Sequence, residues 1–418
     1  MSVIQALQGM EILDSRGRPT VLARCALESG ANATASVPSG ASKGVSEAFE
    51  LRDGDPQRYR GLGCRQAAAN IEGILLDRLG GRSFETQEQL DHELSVLDGT
   101  ANLRRIGANA ILAVSVAFAR AQAAERGLPL YRHFAFLAGT GIRQLPVLTI
   151  NLFSGGKHAG SQVAIQDVLI VPVAARGIDE ALVQGAEIYQ CAAELCLERY
   201  GMRLLVADEG GLAPPFESVR AMLDLALDAI RRAGLEPGRE VALAVDVASS
   251  HFFEQGLYHL DGRRLTSDEM IETIAAWVDG YPIVSVEDGL AEEEWSYWPA
   301  LRTALSSRTL TLGDDLLCTN PARIARAIES RACDALLLKV NQIGTLTGAL
   351  HALNLARSAG WKVVISVRSG ETEDDWAADL AIGWQGDYFK NGSLTRSERL
   401  AKYNRLLRIE QEIGLTKR

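Results

Sequence analysis

Short apolar runs alternate with amphipathic stretches over the last two thirds of the chain. Five apolar runs of strand length each end in polar residues, at 241–250, 281–290, 309–317, 333–344 and 361–370. The stretches between them, such as 266–280 and 320–332, have the apolar spacing of helices. Strands that alternate with helices predict a parallel β/α architecture. Residues 140–418 also match the usual size of one (β/α)8 barrel.

Residues 1–135 have a different pattern. Residues 19–44 read as alternating strands and end in a loop rich in glycine and serine. A longer apolar stretch at 109–127 has the character of a buried helix that ends at glycine. Residues 136–146 have the composition of a linker. We therefore predict an N-terminal α+β domain over 1–135 and a barrel domain over 140–418.

Composition narrows the class of protein. The chain has 47% hydrophobic and 23% charged residues and a net charge of −10, which is ordinary for a globular enzyme and unfavourable for a nucleic-acid partner. We find no signal peptide and no apolar run long enough to span a membrane. The six cysteines are scattered without a C-x-x-C pair, as expected of reduced thiols. These features predict a cytoplasmic protein.

Three carboxylates follow three of the apolar runs. Asp246, Glu287 and Asp314 are spaced as successive strand ends, so a barrel would bring them together at its active face. Three carboxylates in one place repel each other unless a cation joins them, and oxygen ligands favour Mg²⁺. The alternative is that each acid caps a helix or faces water. The pattern of three in succession favours the metal site.

Two lysines occupy similar positions. The chain has only seven lysines, so arginine supplies most of its positive charge. Lys339 ends an apolar run, and we expect burial and a nearby cation to lower its pKa, as suits a general base. Its alternative role is a salt bridge with a neighbouring acid. Lys390 follows Val367, in the run at 361–370, by one barrel step of 23 residues and could hold a carboxylate.

A possible phosphate site follows the last of the five runs. Arg368 and Ser369 could bind a phosphate, because a guanidinium offers paired donors. The alternative for Arg368 is a surface ion pair with the acids at 371–375.

At this point the sequence resembles the enolase family along nearly its whole length. The segments that carry the resemblance are DSRGRPTV, VPSGASKG, LDGTANLRRIGANAILAVS, SGGKHAG, DEGGLAP, VDVASS, SVEDG, GDDLLCTNP, ALLLKVNQIGTL, RSGETED and RSERLAKYNRLLRIE. The resemblance implies a small N-terminal α+β domain capping a modified (β/α)8 barrel, usually in a homodimer or a higher homo-oligomer. It also implies two Mg²⁺ ions and a small anionic substrate like 2-phosphoglycerate or phosphoenolpyruvate.

The resemblance assigns a role to each candidate residue. Those on the metal and proton-transfer side are Asp246, Glu287 and Asp314 as ligands of the first Mg²⁺, Ser42 as a ligand of the second, Lys339 as the base and Lys390 as the partner of the substrate carboxylate. Those on the phosphate and leaving-group side are Arg368 and Ser369 as phosphate contacts, Glu209 as part of the acid, and His158 and Gln166 as substrate-pocket residues.

Two positions depart from the family pattern. Asp167 stands where the family has glutamate, and Val367 stands where it has histidine before the Arg-Ser-Gly-Glu run. Both changes fall on the side that handles the substrate hydroxyl. We therefore expect a specialised paralogue, such as carboxyphosphonoenolpyruvate synthase of phosphonate and phosphinate antibiotic biosynthesis, a lyase or transferase. The alternatives are an enolase that dehydrates 2-phosphoglycerate and a non-catalytic binding protein.

Overall fold

The computed structural model describes residues 1–41, 44–201, 205–305 and 308–415, and of His158 only the backbone. The predicted metal ligand Ser42 lies outside these residues. Among them, no helix is both long enough and apolar enough to cross a bilayer. All six cysteines are free thiols, as predicted.

The N-terminal region is a four-stranded antiparallel sheet covered by helices, with strand order β3-β2-β1-β4. Its strands are β1 (Ser2–Leu13), β2 (Pro19–Leu27), β3 (Asn32–Ser36) and β4 (Ser83–Phe84). Its helices are α1 (Arg65–Asn70), α2 (Leu76–Leu79), α3 (Gln87–Asp98), α4 (Ala108–Glu125) and α5 (Leu130–Leu137), with a π turn over Ile71–Leu75 and a 3-10 turn at Tyr59–Gly61. Helix α4 packs on β2 and β3 and is buried on almost every side, which explains its nearly continuous apolar sequence.

The rest of the chain forms a closed barrel of eight strands. In chain order these are β5 (Val147–Ser154), β6 (Asp167–Val171), β7 (Ala242–Asp246), β11 (Ile283–Glu287), β12 (Leu310–Gly313), β13 (Ala335–Leu338), β14 (Lys362–Ser366) and β15 (Tyr388–Lys390). Three short strands between β7 and β11 form a separate small sheet, β8 (Phe253–Glu254), β9 (Leu257–Leu260) and β10 (Arg263–Leu265). This architecture confirms the predicted fold class.

Helices surround the barrel. They are α6 (Ile178–Tyr200), α7 (Val219–Arg232), α8 (Ser267–Gly280), α9 (Trp298–Leu305), α10 (Pro321–Ser330), α11 (Val340–Ile343), α12 (Leu346–Ser358), α13 (Trp376–Gly383) and α14 (Ser397–Ile413), with 3-10 turns at Gly156–Ala159 and Ser249–Phe252. The capping box of α8, in which Thr266 and Glu269 bond to each other's backbone, shows how local sequence fixes a helix start.

One strand departs from the simple parallel pattern. Strand β6 runs antiparallel to both of its neighbours, β5 and β7. The connection from β5 to β6 contains a 3-10 turn but no crossover helix, and a parallel return normally needs such a helix. The reversal places the first residue of β6, Asp167, at the barrel edge where its neighbours end. In register it lies opposite Ser154 and Asp246.

The N-terminal region touches the barrel at its active face. Ser39 and Gly370 exchange two backbone hydrogen bonds of 2.8 and 2.9 Å between the two regions. Arg120 on α4 donates a hydrogen bond of 2.9 Å to the carboxylate of Asp374, just beyond β14. The segment that follows β14 is therefore held from the N-terminal side as well as by the barrel.

Candidate active site

The predicted carboxylates converge at one end of the barrel. Asp246 and Glu287 are the last residues of β7 and β11 and are paired in register, and Asp314 directly follows β12. All three side chains belong to buried residues. Asp246 and Asp314 line a pocket together with Glu209, Lys339 and Arg368. The alternative that these acids face water is therefore wrong.

Lys390, at the end of β15, lies between two of the acids. Its Nζ donates to Asp246 Oδ2 and Glu287 Oε2, each over 2.7 Å. Burial favours the neutral amine, but the two carboxylates outweigh it and hold the pKa of Lys390 well above its usual value. Burial and the negative charge of Asp246 raise the pKa of Glu287 well above the usual range. The buried carboxylates of Asp246 and Glu287 therefore favour a positive charge beside them.

The residues present fit a Mg²⁺ ion. Glu287 Oε1 is buried and has no hydrogen-bond partner among the described residues, an arrangement that is costly unless a cation occupies the site. The donors are carboxylate oxygens, which suit Mg²⁺ better than softer metals. Asp246, Glu287 and Asp314 therefore remain the predicted ligands.

A second acidic group overlaps with the predicted one. Oxygen atoms of Asp288, Asp314 and Asp315 lie within 4.8 Å of one another. Asp288, however, accepts hydrogen bonds from the backbone N–H groups of Asp314 (3.0 Å) and Asp315 (2.7 Å). We interpret Asp288 as the residue that orients this turn. Sequence reasoning missed it, although an acid directly after a strand-end glutamate was a visible signal.

Lys339 lies beside the predicted metal site and pairs with one of its acids. Its ammonium group contacts the carboxylate of Asp314, to which Gln342 also donates a hydrogen bond of 2.9 Å. Burial lowers the pKa of Lys339, but Asp314 more than compensates, so that the pKa lies above its usual value. The lowered pKa that we expect for Lys339 beside a bound cation therefore stays a prediction. A cation held by Asp314 would weaken this interaction.

Arg368 and Ser369 follow β14 and line the same pocket. The Arg368 guanidinium donates to both carboxylate oxygens of Glu47 (2.9 and 3.2 Å) and to Asn341 Oδ1 (3.2 Å). The alternative that Arg368 forms a surface ion pair is wrong, because the residue is 5% exposed. Its carboxylate partner comes from the N-terminal region, which no local sequence signal could show.

Three further candidates, Asp167, Glu209 and Gln166, line the same pocket. Asp167 is fully buried, and its Oδ1 accepts a hydrogen bond of 2.5 Å from Ser154 Oγ. Glu209 accepts a hydrogen bond of 3.1 Å from the Asn151 amide. Gln166 donates to Asp246 Oδ2 over 2.9 Å, so it touches a predicted metal ligand as well as the pocket. Sequence reasoning missed Ser154 and Asn151, which are inward-facing residues of β5.

Val367 lies where the sequence places it, at the exit of β14. It lines the pocket and is 7% exposed. Its side chain has no polar atom, so it contributes only shape to this wall. The pocket also contains His251, which no sequence pattern singled out.

Together, the closed barrel and the buried acids at the carboxyl ends of its strands form the arrangement typical of β/α-barrel enzymes. Comparison with known proteins identifies the family. The family models "Enolase, N-terminal domain" and "Enolase, C-terminal TIM barrel domain" match residues 4–134 and 142–418. The chain therefore belongs to the enolase family, whose members use Mg²⁺.

A curated relative makes the comparison more specific. "Enolase 1" of Methylococcus capsulatus (strain ATCC 33009 / NCIMB 11132 / Bath) is 47% identical to this chain over 415 residues, which cover 98% of the chain and 97% of the relative. This likeness supports an enzyme of the lyase type and gives no support to a transferase.

Our main hypothesis from the sequence, a specialised paralogue such as carboxyphosphonoenolpyruvate synthase, is thereby contradicted. It rested on Asp167 and Val367 alone. The structure gives a physical reason why these changes are a poor guide: Asp167 remains in the pocket, held by Ser154, and Glu209 lines the same pocket. The side that would handle the substrate hydroxyl thus keeps two carboxyl groups. Antibiotic biosynthesis and phosphonate substrates are likewise unsupported.

Proposed function

We propose that the protein dehydrates 2-phosphoglycerate to phosphoenolpyruvate, acting in the cytoplasm as a homo-oligomer. The observation that carries this proposal is the near full-length likeness to Enolase 1 in a chain whose pocket has Lys339 beside the strand-end carboxylates. The substrate is a small phosphorylated acid, which suits a pocket that combines lysine, arginine and carboxylate groups. The predicted site residues divide into three groups with separate tasks.

The first group removes the proton at C2. A cation held by Asp314 would weaken the contact between Lys339 and that carboxylate and so favour the neutral amine. In that form Lys339 takes the proton on Nζ, and the electron pair of the C–H bond moves towards the substrate carboxylate, where a second negative charge develops. Asp246, Glu287 and Asp314 would hold Mg²⁺, and the ion would supply positive charge that stabilises this carboxylate. Lys390 adds a further positive charge beside the proposed metal ligands, because its ammonium donates hydrogen bonds to Asp246 and Glu287.

The second group handles the hydroxyl at C3. The electron pair then forms the C2–C3 double bond while the C3–O bond breaks, and the departing hydroxide takes a proton to leave as water. We propose Glu209 as the donor of this proton, with Asp167 in the same pocket. Asn151 and Ser154 hold these two carboxyl groups in place by the hydrogen bonds described above. Val367 shapes the wall without taking part in proton transfer.

The third group binds the phosphate. Arg368 and Ser369 are its proposed contacts, and Gln166 and His158 are proposed as further substrate residues. The Arg368 guanidinium is held in position by its hydrogen bonds to Glu47 and Asn341. Ser42 stays a prediction as the ligand of a second Mg²⁺.

A direct assay tests the proposal. The purified protein is incubated with 2-phosphoglycerate and Mg²⁺, and the ultraviolet absorbance of the enol product is followed. We expect a kcat within the common enzyme range of roughly 1–10³ s⁻¹. Lys339→Ala should lower kcat by about 10²–10⁴-fold. Lys362→Ala is the matched control, because Lys362 begins β14, at the end of the strand away from the pocket, and its side chain is 54% exposed. Absence of product from the wild type would refute the proposal.

A further inference from the structure

The hydroxyl of Ser369 is held by a residue from the N-terminal region. Arg16, in the turn between β1 and β2, donates from Nη1 to Ser369 Oγ over 3.0 Å. Both side chains are almost completely buried: Arg16 is 6% exposed and Ser369 is 4% exposed. The segment DSRGRPTV, which contains Arg16, belongs to the family resemblance but has no role in the reaction described so far.

This contact determines the direction of the hydroxyl proton. An arginine guanidinium can only donate hydrogen bonds, so Ser369 Oγ must act as the acceptor in this pair. In the part of the chain that the structure describes, the hydroxyl accepts this bond and donates none. Its own proton is therefore available, and Ser369 lines the active-site pocket. A phosphate oxygen in that pocket is an acceptor of the kind the proton needs.

Arg16 is itself fixed. Asp14, whose side chain is fully buried, accepts hydrogen bonds from Arg16 Nε (3.2 Å) and Nη2 (2.9 Å). Arg16 Nη2 also donates to the carbonyl oxygen of Ser39 over 3.0 Å. A Cβ atom at Gly370 would lie 2.2 Å from Arg16 Nη2 and 2.3 Å from Asp14 Oδ2. The glycine after Ser369 is thus required by the close approach of this ion pair.

The backbone of Ser369 has other supports. Its carbonyl oxygen accepts hydrogen bonds from Arg399 Nη2 on α14 (2.6 Å) and from Ser15 Oγ (3.2 Å). Arg399 Nη1 also donates to the carbonyl of Arg368 over 2.8 Å. Removal of the Arg16 side chain leaves these bonds in place. The specific contribution of Arg16 is therefore to the hydroxyl rather than to the path of the chain.

We propose that Arg16 is a positioning residue for phosphate binding, which turns the Ser369 hydroxyl proton towards the phosphate of the substrate. This inference rests on the proposed function, because it takes the ligand to be a phosphate ester. The N-terminal region thereby contributes to the phosphate site through a residue that does not touch the ligand. Its effect is confined to binding, since the phosphate is retained throughout the reaction.

A double-mutant cycle on Arg16 and Ser369 tests this inference. The probe is phosphoenolpyruvate in the presence of Mg²⁺, and its Kd is measured by calorimetry. Ser369→Ala and Arg16→Met should each raise Kd about 10- to 100-fold, the effect of losing a hydrogen bond to a charged group. The double variant should bind no more weakly than Ser369→Ala, within about twofold, because Arg16 acts through Ser369. Arg18→Met is the matched control, from an exposed position in the same turn, and should leave Kd unchanged.

Kinetics give a second readout. With 2-phosphoglycerate, Arg16→Met should raise KM by a similar factor and change kcat less than threefold, because the phosphate contact is equal in the ground and transition states. If Arg16→Met lowers the thermal midpoint, Asp14→Asn combined with Arg16→Gln replaces it in the cycle, since this pair leaves no unpaired buried charge.

The outcomes separate the inference from the proposed function. A wild type that binds phosphoenolpyruvate without dehydrating 2-phosphoglycerate contradicts the proposed function, and the binding cycle still decides the role of Arg16. Additive losses in the double variant, or an unchanged Kd for Arg16→Met, overturn the inference alone. A wild type that does not bind phosphoenolpyruvate overturns both.

Discussion

The contact of Lys390 with Asp246 and Glu287 leads to a quantitative prediction about stability and Mg²⁺. Lys390→Met keeps the length of the side chain and removes its charge. Each of the two contacts is 2.7 Å long. At an effective dielectric constant of about 20, each corresponds to roughly 6 kcal/mol of gross Coulomb attraction. Desolvation offsets much of this, and breaking a buried ion pair commonly costs about 3–5 kcal/mol.

The lower end of that range is the better expectation for the protein without Mg²⁺. The raised pKa of Glu287 means that one carboxyl group can take up a proton once Lys390 is removed. We therefore expect Lys390→Met to lower the free energy of unfolding by about 3 kcal/mol in EDTA. Because Lys390 competes with the dication for these carboxylates in the wild type, the variant should bind Mg²⁺ more tightly. At about ten times the wild-type Kd, a tenfold lower Kd in the variant would reduce the deficit by about 1.3 kcal/mol.

Urea unfolding followed by tryptophan fluorescence, with EDTA and then with Mg²⁺, measures both quantities. Lys362→Met is the control, because Lys362 pairs with Asp387 at an exposed position and should cost less than about 1 kcal/mol in either buffer. A Lys390→Met deficit as small as that of the control would refute the account of the buried pair. A large deficit that Mg²⁺ leaves unchanged would refute the assignment of these carboxylates to the metal.

Three further predictions concern other parts of the molecule. Asp91→Ala should lower the free energy of unfolding, measured in urea, by about 2–3 kcal/mol. Its buried carboxylate accepts hydrogen bonds from the backbone N–H and the hydroxyl of Thr347 at the start of α12. His133 is buried without a hydrogen-bond partner among the described residues, and burial lowers its pKa to about 4. Below about pH 6.5 the imidazole of His133 takes up a proton in the unfolded chain but not in the folded one. The free energy of unfolding should therefore fall by about 2 kcal/mol between pH 7.5 and pH 5. His133→Leu should reduce that fall, as urea titrations at both pH values would measure. Asp167→Asn should lower kcat about 10²-fold or more, whereas Val367→Ala should change it less than tenfold, as steady-state dehydration assays would measure. Equal effects would contradict the roles proposed for these two residues.

Much of the site could be predicted because its residues sit at strand ends. Asp246, Glu287, Asp314 and Lys339 each follow an apolar run, and parallel strands bring such positions together at one edge of a barrel. Strand β15 was harder to see, because Tyr388–Lys390 is too short to show a period. Lys390 was nevertheless indicated by its spacing from the preceding run, and the resemblance to the family then gave it a role.

The unpredicted features depend on contacts between distant parts of the chain. The reversal of β6 follows from a connection without a helix, and it moves Asp167 to the active edge although this residue begins its strand. The partner of Arg368 is Glu47, and that of Ser369 is Arg16, both from the N-terminal region. The charge state of Lys339 likewise depends on its contact with Asp314, which a sequence pattern cannot measure.

Hydrogen exchange at C2 tests most directly the claim that Lys339 removes the proton and Glu209 assists the departure of hydroxide. The protein is incubated with 2-phosphoglycerate and Mg²⁺ in D2O, and loss of the C2 proton and formation of phosphoenolpyruvate are followed separately by NMR. We predict that Lys339→Ala loses both activities, whereas Glu209→Gln still exchanges the C2 proton but forms product about 10²-fold more slowly or less. Exchange at the wild-type rate in Lys339→Ala would contradict the account.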